Sequence, residues 1–408
     1  MTAFIARGPV RLLLGLLIGL VAGMTLDGPA QTTLLAIARP IGALWLDALT
    51  MTVVPLVFGL LVTGVADASR QAEAGGTTLR AFGWFGVMLL AACLTGAALT
   101  QALLHIWPVA EGALASGAPA PPGPAAPTEW FRQIIPANPL RAAVDMAMVP
   151  LVTFALFLGF AVARIAPASG EALLKPLRAL VEAMLVIVGW VLLVGPLGIA
   201  ALALGAGAGL GMSAVGALAQ YVILISGACL AATVLAYGWV GLGSRMPVLR
   251  FARAAIPAQA VALGTQSSLA TLPVMVERAS HLGVPAPVSG IVLPLAVSLF
   301  RAASGAANVA VTVYLAYLHG IALRPDMLLL AALIAVPVSL AAVGLPAQVS
   351  FFATIAPICI AIGVPVTMLP LLLAIEALPD LFRTLGNVTS DLAATCNVAM
   401  PRRRSKDL

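Results

Sequence analysis

The sequence has 408 residues, of which 62% are hydrophobic and only 9% are charged, and its mean hydropathy is +1.09. Soluble domains carry about 25% charged residues, so this composition excludes an ordinary soluble domain and indicates a polytopic membrane protein. The net charge of +6 does not indicate a nucleic-acid partner, because the basic residues are spread over short loops and a C-terminal tail, 401–408. Such a tail suits an anionic cytoplasmic leaflet.

Apolar runs predict eight membrane spans in an all-α chain. They are Val10–Leu26, Leu34–Ala66, Leu79–Trp107, Leu140–Ile165, Leu174–Leu204, Ala214–Leu242, Val288–Leu318 and 365–398. The second run is longer than one crossing requires, which predicts a bend at Pro55. Residues 108–139 are rich in Ala, Pro and Gly and are predicted to form a loop outside the membrane.

Two further apolar runs are interrupted at their centres. Arg250–Ala279 is broken by Gly264–Pro273, and Met327–Ile362 is broken by Ala342–Ala347. Each half is too short to cross a bilayer, which predicts two re-entrant helical hairpins. With both termini in the cytoplasm, most loop arginines lie inside, as the positive-inside rule requires.

The cysteine spacing and the enzyme motifs searched for give little indication of metal binding or catalysis. The four cysteines lie in apolar segments without metal-ligand spacing, which predicts buried thiols rather than disulfides: Cys93, Cys229, Cys359 and Cys396. The sequence contains neither HExxH nor GxSxG. An intramembrane hydrolase is therefore disfavoured, and we expect no catalytic residues and no cofactor beyond a coupling ion.

Charged residues concentrate in the last apolar run, Ile375–Leu392. With about 100° per helical residue, five polar side chains fall on one face roughly 100° wide: Asp380, Arg383, Thr384, Asn387 and Asp391. We call these five residues the charged ridge. Such a ridge inside a membrane predicts a site for a polar or ionic ligand. The alternative is a helix-packing salt bridge between Asp380 and Arg383, which leaves Asn387 and Asp391 unexplained.

Six short motifs occur in one order along the chain. They are Met51–Phe58, Ile134–Pro139, Ser267–Pro273, Val292–Leu295, Gly344–Pro346 and Asp380–Asp391. In these motifs the sequence resembles the dicarboxylate/amino acid:cation symporter family, which includes glutamate and aspartate transporters. The resemblance implies an inverted-repeat, elevator-type homotrimer with eight transmembrane helices and two re-entrant hairpins. It also implies a mainly scaffold part at 1–246, to which the third span need not belong, and a transport core at 247–400.

The resemblance also implies roles for individual residues. Arg383 would hold a substrate side-chain carboxylate and Asp380 a substrate ammonium group. The other implied substrate contacts are Ser267, Ser268, Ser304, Thr384 and Asn387, with Gly344 and Pro346 at the gate of the second hairpin. Asn387 and Asp391 would be cation ligands, Asp391 for sodium.

The seventh span departs from the family pattern. Where the family usually has Asn-Met-Asp-Gly-Thr, this chain has Phe300-Arg-Ala-Ala-Ser304, so at least one sodium site of the family is expected to be lost. Ser298, Arg301, Ser304 and Asn308 would form one polar helical face. We hypothesise that Arg301 takes the place of a sodium ion and pairs with Asp391 or Asp380. The alternative is that Arg301 neutralises a buried acid for structural reasons alone.

The resemblance therefore predicts a multi-pass inner-membrane symporter for an acidic amino acid or C4-dicarboxylate, coupled to Na⁺ or H⁺, with a reduced or altered sodium requirement. One alternative is a proton-coupled or uncoupled carrier of a neutral amino acid or another carboxylate, with Asp391 as the titrating group. A second alternative is a receptor-like relative that has lost transport.

Overall fold

The computed structural model describes residues 8–73, 75–108, 134–244, 246–342 and 347–399, and every regular element within these ranges is a helix. In chain order the helices are α1 (Gly8–Thr25), α2 (Gly28–Thr50), α3 (Val53–Glu73), α4 (Gly76–Ile106), α5 (Pro139–Val144), α6 (Met148–Arg164), α7 (Pro167–Leu193), α8 (Gly195–Leu210), α9 (Met212–Gly243), α10 (Val248–Thr265), α11 (Ser268–His281), α12 (Ala286–Leu299), α13 (Ala302–Leu318), α14 (Pro325–Ala341), α15 (Ala347–Ala361), α16 (Leu369–Ile375) and α17 (Ala377–Ala399).

Five stretches of the described chain are long and apolar enough to cross a membrane. They are Gly28–Gln71, Gly76–Ile106, Pro167–Leu193, Met212–Gly243 and Ala286–Leu318. Large apolar side chains on these stretches stay exposed, as at Leu44, Trp190 and Val234. Exposed apolar rows on long helices are what contact with lipid tails requires, which agrees with a polytopic membrane protein.

Proline divides two of the predicted spans. The bend expected at Pro55 is present, because α2 ends at Thr50 and α3 begins at Val53. The prediction of one continuous fifth span was wrong: α7 ends at Leu193 and α8 begins at Gly195. Pro196 lacks the N–H that would bond to the carbonyl of Leu192, so the helix cannot continue through this point.

The fourth span also differs from its prediction. It consists of the short α5 and the longer α6, separated at Asp145–Ala147, and Met146 there has a φ of 52°. A left-handed residue interrupts helical hydrogen bonding, because the αL conformation does not continue a right-handed helix.

The four cysteines are free and buried, as predicted.

Small residues allow α1 and α8 to pack closely. A Cβ added at Gly15, Gly19 or Gly23 would lie within 2.4 Å of a backbone carbonyl oxygen of α8. Glycine every fourth residue brings two backbones together in membrane helices, because packing rather than water exclusion drives their association. This spacing fixes the position of α8 beside the first helix.

The predicted interruption of the first hairpin is present. Helices α10 and α11 pack against each other and are joined through Gln266 and Ser267, where Gln266 has a φ of 51°. At the open end Arg250 Nη2 donates to the His281 carbonyl at 3.5 Å, so the two helices run antiparallel. Helices α14 and α15 also pack together. Their tip, residues 343–346, lies outside the described ranges, and so do the predicted gate residues Gly344 and Pro346.

The second half of the seventh predicted span lies in the interior of the protein. Helix α13 is buried along almost all of its length and packs on α4, α9, α15 and α17. Close approach depends on glycine, since a Cβ at Gly96 would lie 2.4 Å from the Ala306 carbonyl oxygen. Val288–Leu318 lies within one stretch long enough to cross a membrane, as predicted, but the helix is interrupted because Phe300 and Arg301 are not helical. Phe300 instead stacks on Phe85 of α4, with ring centroids 4.7 Å apart.

Candidate functional site

Helix α17 carries the charged ridge into the interior of the protein. Arg383, Thr384, Asn387 and Asp391 are buried, and the side chain of Asp380 is 20% exposed. The helix begins at Ala377, just after the break at Glu376. Pro379 in its first turn explains this start, because its nitrogen cannot bond to the carbonyl of Ile375. The predicted single helix across Ile375–Leu392 is therefore two helices, with the ridge entirely on the second.

Protein groups surround the guanidinium of Arg383. Its Nη1 donates to Asn308 Oδ1 at 3.2 Å, and its Nη2 donates to the carboxylate of Glu376. Its Nε lies 3.8 Å from Asp380 Oδ1, which is an ion pair without a hydrogen bond. The predicted packing salt bridge between Asp380 and Arg383 thus exists, but Glu376 makes the closer ionic contact.

Glu376 is a site residue that the sequence patterns did not predict. It is the single residue between α16 and α17. Its second carboxylate oxygen accepts a hydrogen bond from the hydroxyl of Tyr221 on α9. Both side chains are buried. A signal was available, because Glu376 precedes Arg383 by seven residues and so shares the face of the ridge at about 100° per residue. Tyr221 offered no comparable signal, since only tertiary packing brings it here.

Asn387 joins the ridge to the break in the seventh span. Its Nδ2 donates to Ser304 Oγ at 2.9 Å, and its Oδ1 accepts from the Ser304 backbone N–H at 3.2 Å. Ser304 lies in the first turn of α13, where backbone N–H groups lack helical partners. The structure therefore brings together two residues that the resemblance assigned to the substrate.

Asn308 extends this network to the second hairpin. Its Nδ2 donates at 3.0 Å to Thr354 Oγ1 on α15, while its Oδ1 accepts from Arg383. The amide thus contacts the ridge and the hairpin simultaneously. The predicted polar face of the seventh span is divided, because Ser298 lies on α12 and lines a separate cavity of about 460 Å³ with residues of α3, α7 and α14.

Arg301 lies at the break itself. Its guanidinium makes no hydrogen bond or ion pair with another described residue, although Asp380 and Asp391 attract it electrostatically and Arg383 repels it. The hypothesised direct pairing with either acid is therefore not present at contact distance in this conformation. Arg301 and the two acids influence one another without contact, because charges interact over longer distances in a low-dielectric interior.

The carboxylate of Asp391 makes no hydrogen bond or ion pair with another described residue. It is 0% exposed, and neither carboxylate oxygen accepts a hydrogen bond. Burying a carboxylate without a partner is costly, so a position of this kind indicates a ligand that supplies positive charge. Carboxylate oxygen is a preferred ligand of hard cations.

The first hairpin contacts α17 through α10 rather than through its tip. Ser267 Oγ accepts from the Ala270 N–H at 3.2 Å and so caps α11. Within the described residues, neither Ser267 nor Ser268 bonds to the ridge. The link is Gln259 of α10, whose Nε2 donates to Thr389 Oγ1 at 2.9 Å and to Tyr237 Oη at 2.7 Å.

Broken helices around buried, mutually compensating charges define a class. They belong to polytopic helical membrane proteins, because irregular backbone and charge at membrane depth are tolerated only where they are buried in protein or line a water-filled cavity.

Comparison with known proteins identifies the group within this class. The chain belongs to the sodium:dicarboxylate symporter family, whose model matches residues 9–400. It is 24% identical over 394 residues to the proton/sodium-glutamate symport protein of Bacillus subtilis (strain 168), covering 94% of this chain and 90% of that protein. It is 28% identical over 438 residues to the human neutral amino acid transporter A, covering 92% of this chain and 78% of that protein.

A third relative widens the range of named cargoes. The C4-dicarboxylate transport protein 1 of Pseudomonas paraeruginosa (strain DSM 24068 / PA7) is 24% identical over 406 residues, covering 97% of this chain and 90% of the relative. The family resemblance predicted from the motifs is confirmed, and with it the general description of a membrane symporter. Members of this family are transporters rather than enzymes.

Proposed function

We propose that this protein is a secondary active, cation-coupled symporter of a small carboxylate-bearing solute. The observation that carries the proposal is the fully buried Asp391, whose carboxylate oxygens accept no hydrogen bond from the described residues, one turn beyond Asn387 on the charged ridge. A carboxylate held in this way binds a cation from solution, and a cation and an anionic solute in adjacent sites raise each other's affinity by the same factor.

The ridge supplies the solute contacts. Asp380 accepts a substrate ammonium group, Arg383 faces the distal end of the substrate, and Thr384 and Asn387 bind its main carboxylate region. Ser267 and Ser268 contribute from the first hairpin, and Gly344 and Pro346 form the gate of the second. The presence of Asp380 favours an amino acid over a plain dicarboxylate, because a second acid would repel a substrate that has no ammonium group.

Two cargo classes follow. The resemblance and the relatives named for glutamate and C4-dicarboxylates support an acidic amino acid or C4-dicarboxylate. A neutral amino acid is the second candidate, supported by the contact between Arg383 and Glu376 and by the relative named as a neutral amino acid transporter.

Arg301 reduces the sodium requirement in this proposal. It stands where the family motif places sodium-binding residues, and it is attracted to Asp380 and Asp391. A fixed cation at this position performs electrostatically what a bound ion performs elsewhere in the family. The alternative couplings are to a proton, with Asp391 as the titrating group, or to no ion.

The remaining features of the proposal come from the resemblance. They are a homotrimer with an elevator motion, a scaffold mainly within 1–246, a transport core at 247–400, and an inner-membrane location with both termini in the cytoplasm. Transport by a rigid core needs such a division, because the site stays intact while access alternates.

An uptake screen in proteoliposomes tests the proposal. Aspartate, glutamate, succinate, malate and serine are each supplied with a sodium, potassium or choline gradient at several pH values. Uptake of at least one of these solutes driven by a cation gradient supports a symporter, and partial sodium dependence supports the role of Arg301. Binding without uptake in every condition would instead favour a receptor-like protein, and pH-driven uptake without sodium would favour proton coupling.

A further inference from the structure

The Glu376 carboxylate is held from two sides. One oxygen accepts from Arg383 Nη2 and the other from the Tyr221 hydroxyl, so both oxygens have a partner. Tyr221 is itself 0% exposed and lies in edge contact with the ring of Tyr314, whose hydroxyl donates to the Ala217 carbonyl at 2.6 Å. Tyr221 therefore belongs to the packed core of α9, and its neighbours restrain the position of its hydroxyl.

The backbone also restrains Glu376. Its N–H bonds to the Leu373 carbonyl, and its carbonyl accepts from Asp380 N–H at 2.9 Å. The residue is thus fixed to the end of α16 and to the first turn of α17. Displacing its side chain would leave a buried carboxylate and a buried tyrosine hydroxyl unpaired, which is far more costly than keeping them together.

Charge at the site is therefore partly balanced before any solute binds. The site holds three acids, Glu376, Asp380 and Asp391, and two arginines, Arg301 and Arg383, which leaves one formal negative charge. An amino acid with an uncharged side chain adds no net charge, so one monovalent cation makes the loaded site neutral. An acidic amino acid adds a second negative charge beside Glu376, and buried like charges repel strongly.

We propose that Glu376 is a permanent counter-ion of Arg383, locked in place by Tyr221, and that it makes this carrier select amino acids with uncharged side chains over acidic ones. The inference rests on the proposed function, because it assumes that the ridge binds the solute. Glu376 acts through Arg383 and is a positioning residue for specificity rather than a contact to the substrate. It decides between the two cargo classes that the family resemblance leaves open.

The test compares ligands that differ in side-chain charge. L-Aspartate and L-asparagine have nearly the same shape, and L-serine serves as a smaller neutral probe. Binding is measured by ligand-induced thermal shift on the purified full-length protein, and uptake is measured separately in proteoliposomes. The variants are Glu376→Gln, which removes the charge, Glu376→Asp, which keeps it, and Tyr221→Phe, which removes the lock. Glu182→Gln changes an exposed acid on α7 and is the matched control.

We expect wild-type protein and the Glu182→Gln control to prefer the neutral probes over aspartate by at least about tenfold in dissociation constant. Glu376→Gln should move this ratio toward aspartate by at least about tenfold, because Arg383 then carries an uncompensated charge. Glu376→Asp should keep the wild-type preference. Tyr221→Phe should move the ratio toward aspartate by a smaller factor, and it decides the question if Glu376→Gln does not fold.

A wild-type protein that binds aspartate as tightly as the neutral probes would overturn the inference. So would a ratio that stays within about twofold after Glu376→Gln and Tyr221→Phe, since the charge and its lock would then have no effect on selection. Failure of the proposed function looks different, because it gives binding without uptake while the binding ratio still reports on Glu376. Binding of none of the probes overturns both.

Discussion

Asn387 and Ser304 are joined by two hydrogen bonds, one from the Asn387 amide nitrogen to Ser304 Oγ at 2.9 Å and one from the Ser304 backbone N–H to Asn387 Oδ1 at 3.2 Å. The pair holds the ridge against the first turn of α13, where the seventh span is interrupted. A single side chain thereby satisfies one of the free N–H groups at the start of α13 and positions the proposed solute site.

Replacing Asn387 tests this connection. Asn387→Ala should lower the free energy of unfolding by about 1–3 kcal/mol, because it leaves a buried N–H without a partner. Ser304→Ala should cost less, since it removes the hydroxyl but keeps the backbone N–H bonded to Asn387. Thermal unfolding in detergent measures both variants. Equal effects of the two substitutions would show that the backbone contact contributes nothing.

The ion pair of Arg383 and Glu376 allows stability and function to be separated. Arg383→Ala should destabilise the protein by about 3–5 kcal/mol, because Glu376 is left buried without a countercharge. The double variant Arg383→Ala with Glu376→Gln should recover most of that stability, since no charge is stranded, yet it should not recover solute binding. A double-mutant cycle on unfolding, with isothermal binding of the preferred solute, checks both parts. Recovery of binding in the double variant would remove Arg383 from the site.

The ridge could be predicted from sequence because helical periodicity places residues 380–391 on one face regardless of their neighbours. Glu376 obeyed the same periodicity, but its role depends on Tyr221, which is 155 residues away in sequence. The break at Val194 had a visible cause in Pro196. The break at Phe300 had no such local cause, and the stacking of Phe300 on Phe85 of another helix is a contact that sequence patterns do not show. Local patterns report local backbone chemistry, and contacts distant in sequence decide the rest.

Asp391 gives a prediction in which stability and binding change in opposite directions. Asp391→Asn should raise the free energy of unfolding in cation-free buffer by about 1–3 kcal/mol, because it removes a buried charge that has no partner. The same variant should lose the stabilisation that saturating cation gives the wild type, which is about 2.7 kcal/mol at a hundredfold excess over the dissociation constant. Asp145→Asn is the control, since that side chain is 57% exposed. Cation stabilisation that persists in Asp391→Asn would place the ion elsewhere.

Arg301 gives a prediction about ion dependence. Arg301→Gln removes the positive charge that attracts Asp380 and Asp391, so the variant should need more cation to bind its solute. We expect the sodium concentration for half-maximal uptake, or the number of ions coupled, to rise relative to wild type. Arg141→Gln is the control, because that side chain is 81% exposed and distant in the fold. Unchanged ion dependence would mean that Arg301 has only a structural role.

Gly386 tests whether close helix packing sets the position of the ridge. A Cβ at this residue would lie 2.6 Å from the Ala303 Cβ and 2.8 Å from Thr233 Oγ1, so α17 would have to move away from α13 and α9. Gly386→Ala should therefore cost about 1–3 kcal/mol of unfolding free energy through overpacking. It should also weaken solute binding, because Arg383 and Asn387 flank the displaced turn.

The matched control for this prediction is Gly238→Ala on α9, where an added Cβ meets nothing within 4 Å. That variant should gain slightly in stability from the higher helix propensity of alanine, by up to about 1 kcal/mol, and should bind like wild type. If Gly386→Ala and Gly238→Ala behaved alike in thermal unfolding and in binding, the contact of α17 with α13 would be loose. The ridge would then be positioned by its hydrogen bonds to Ser304 and Asn308 alone.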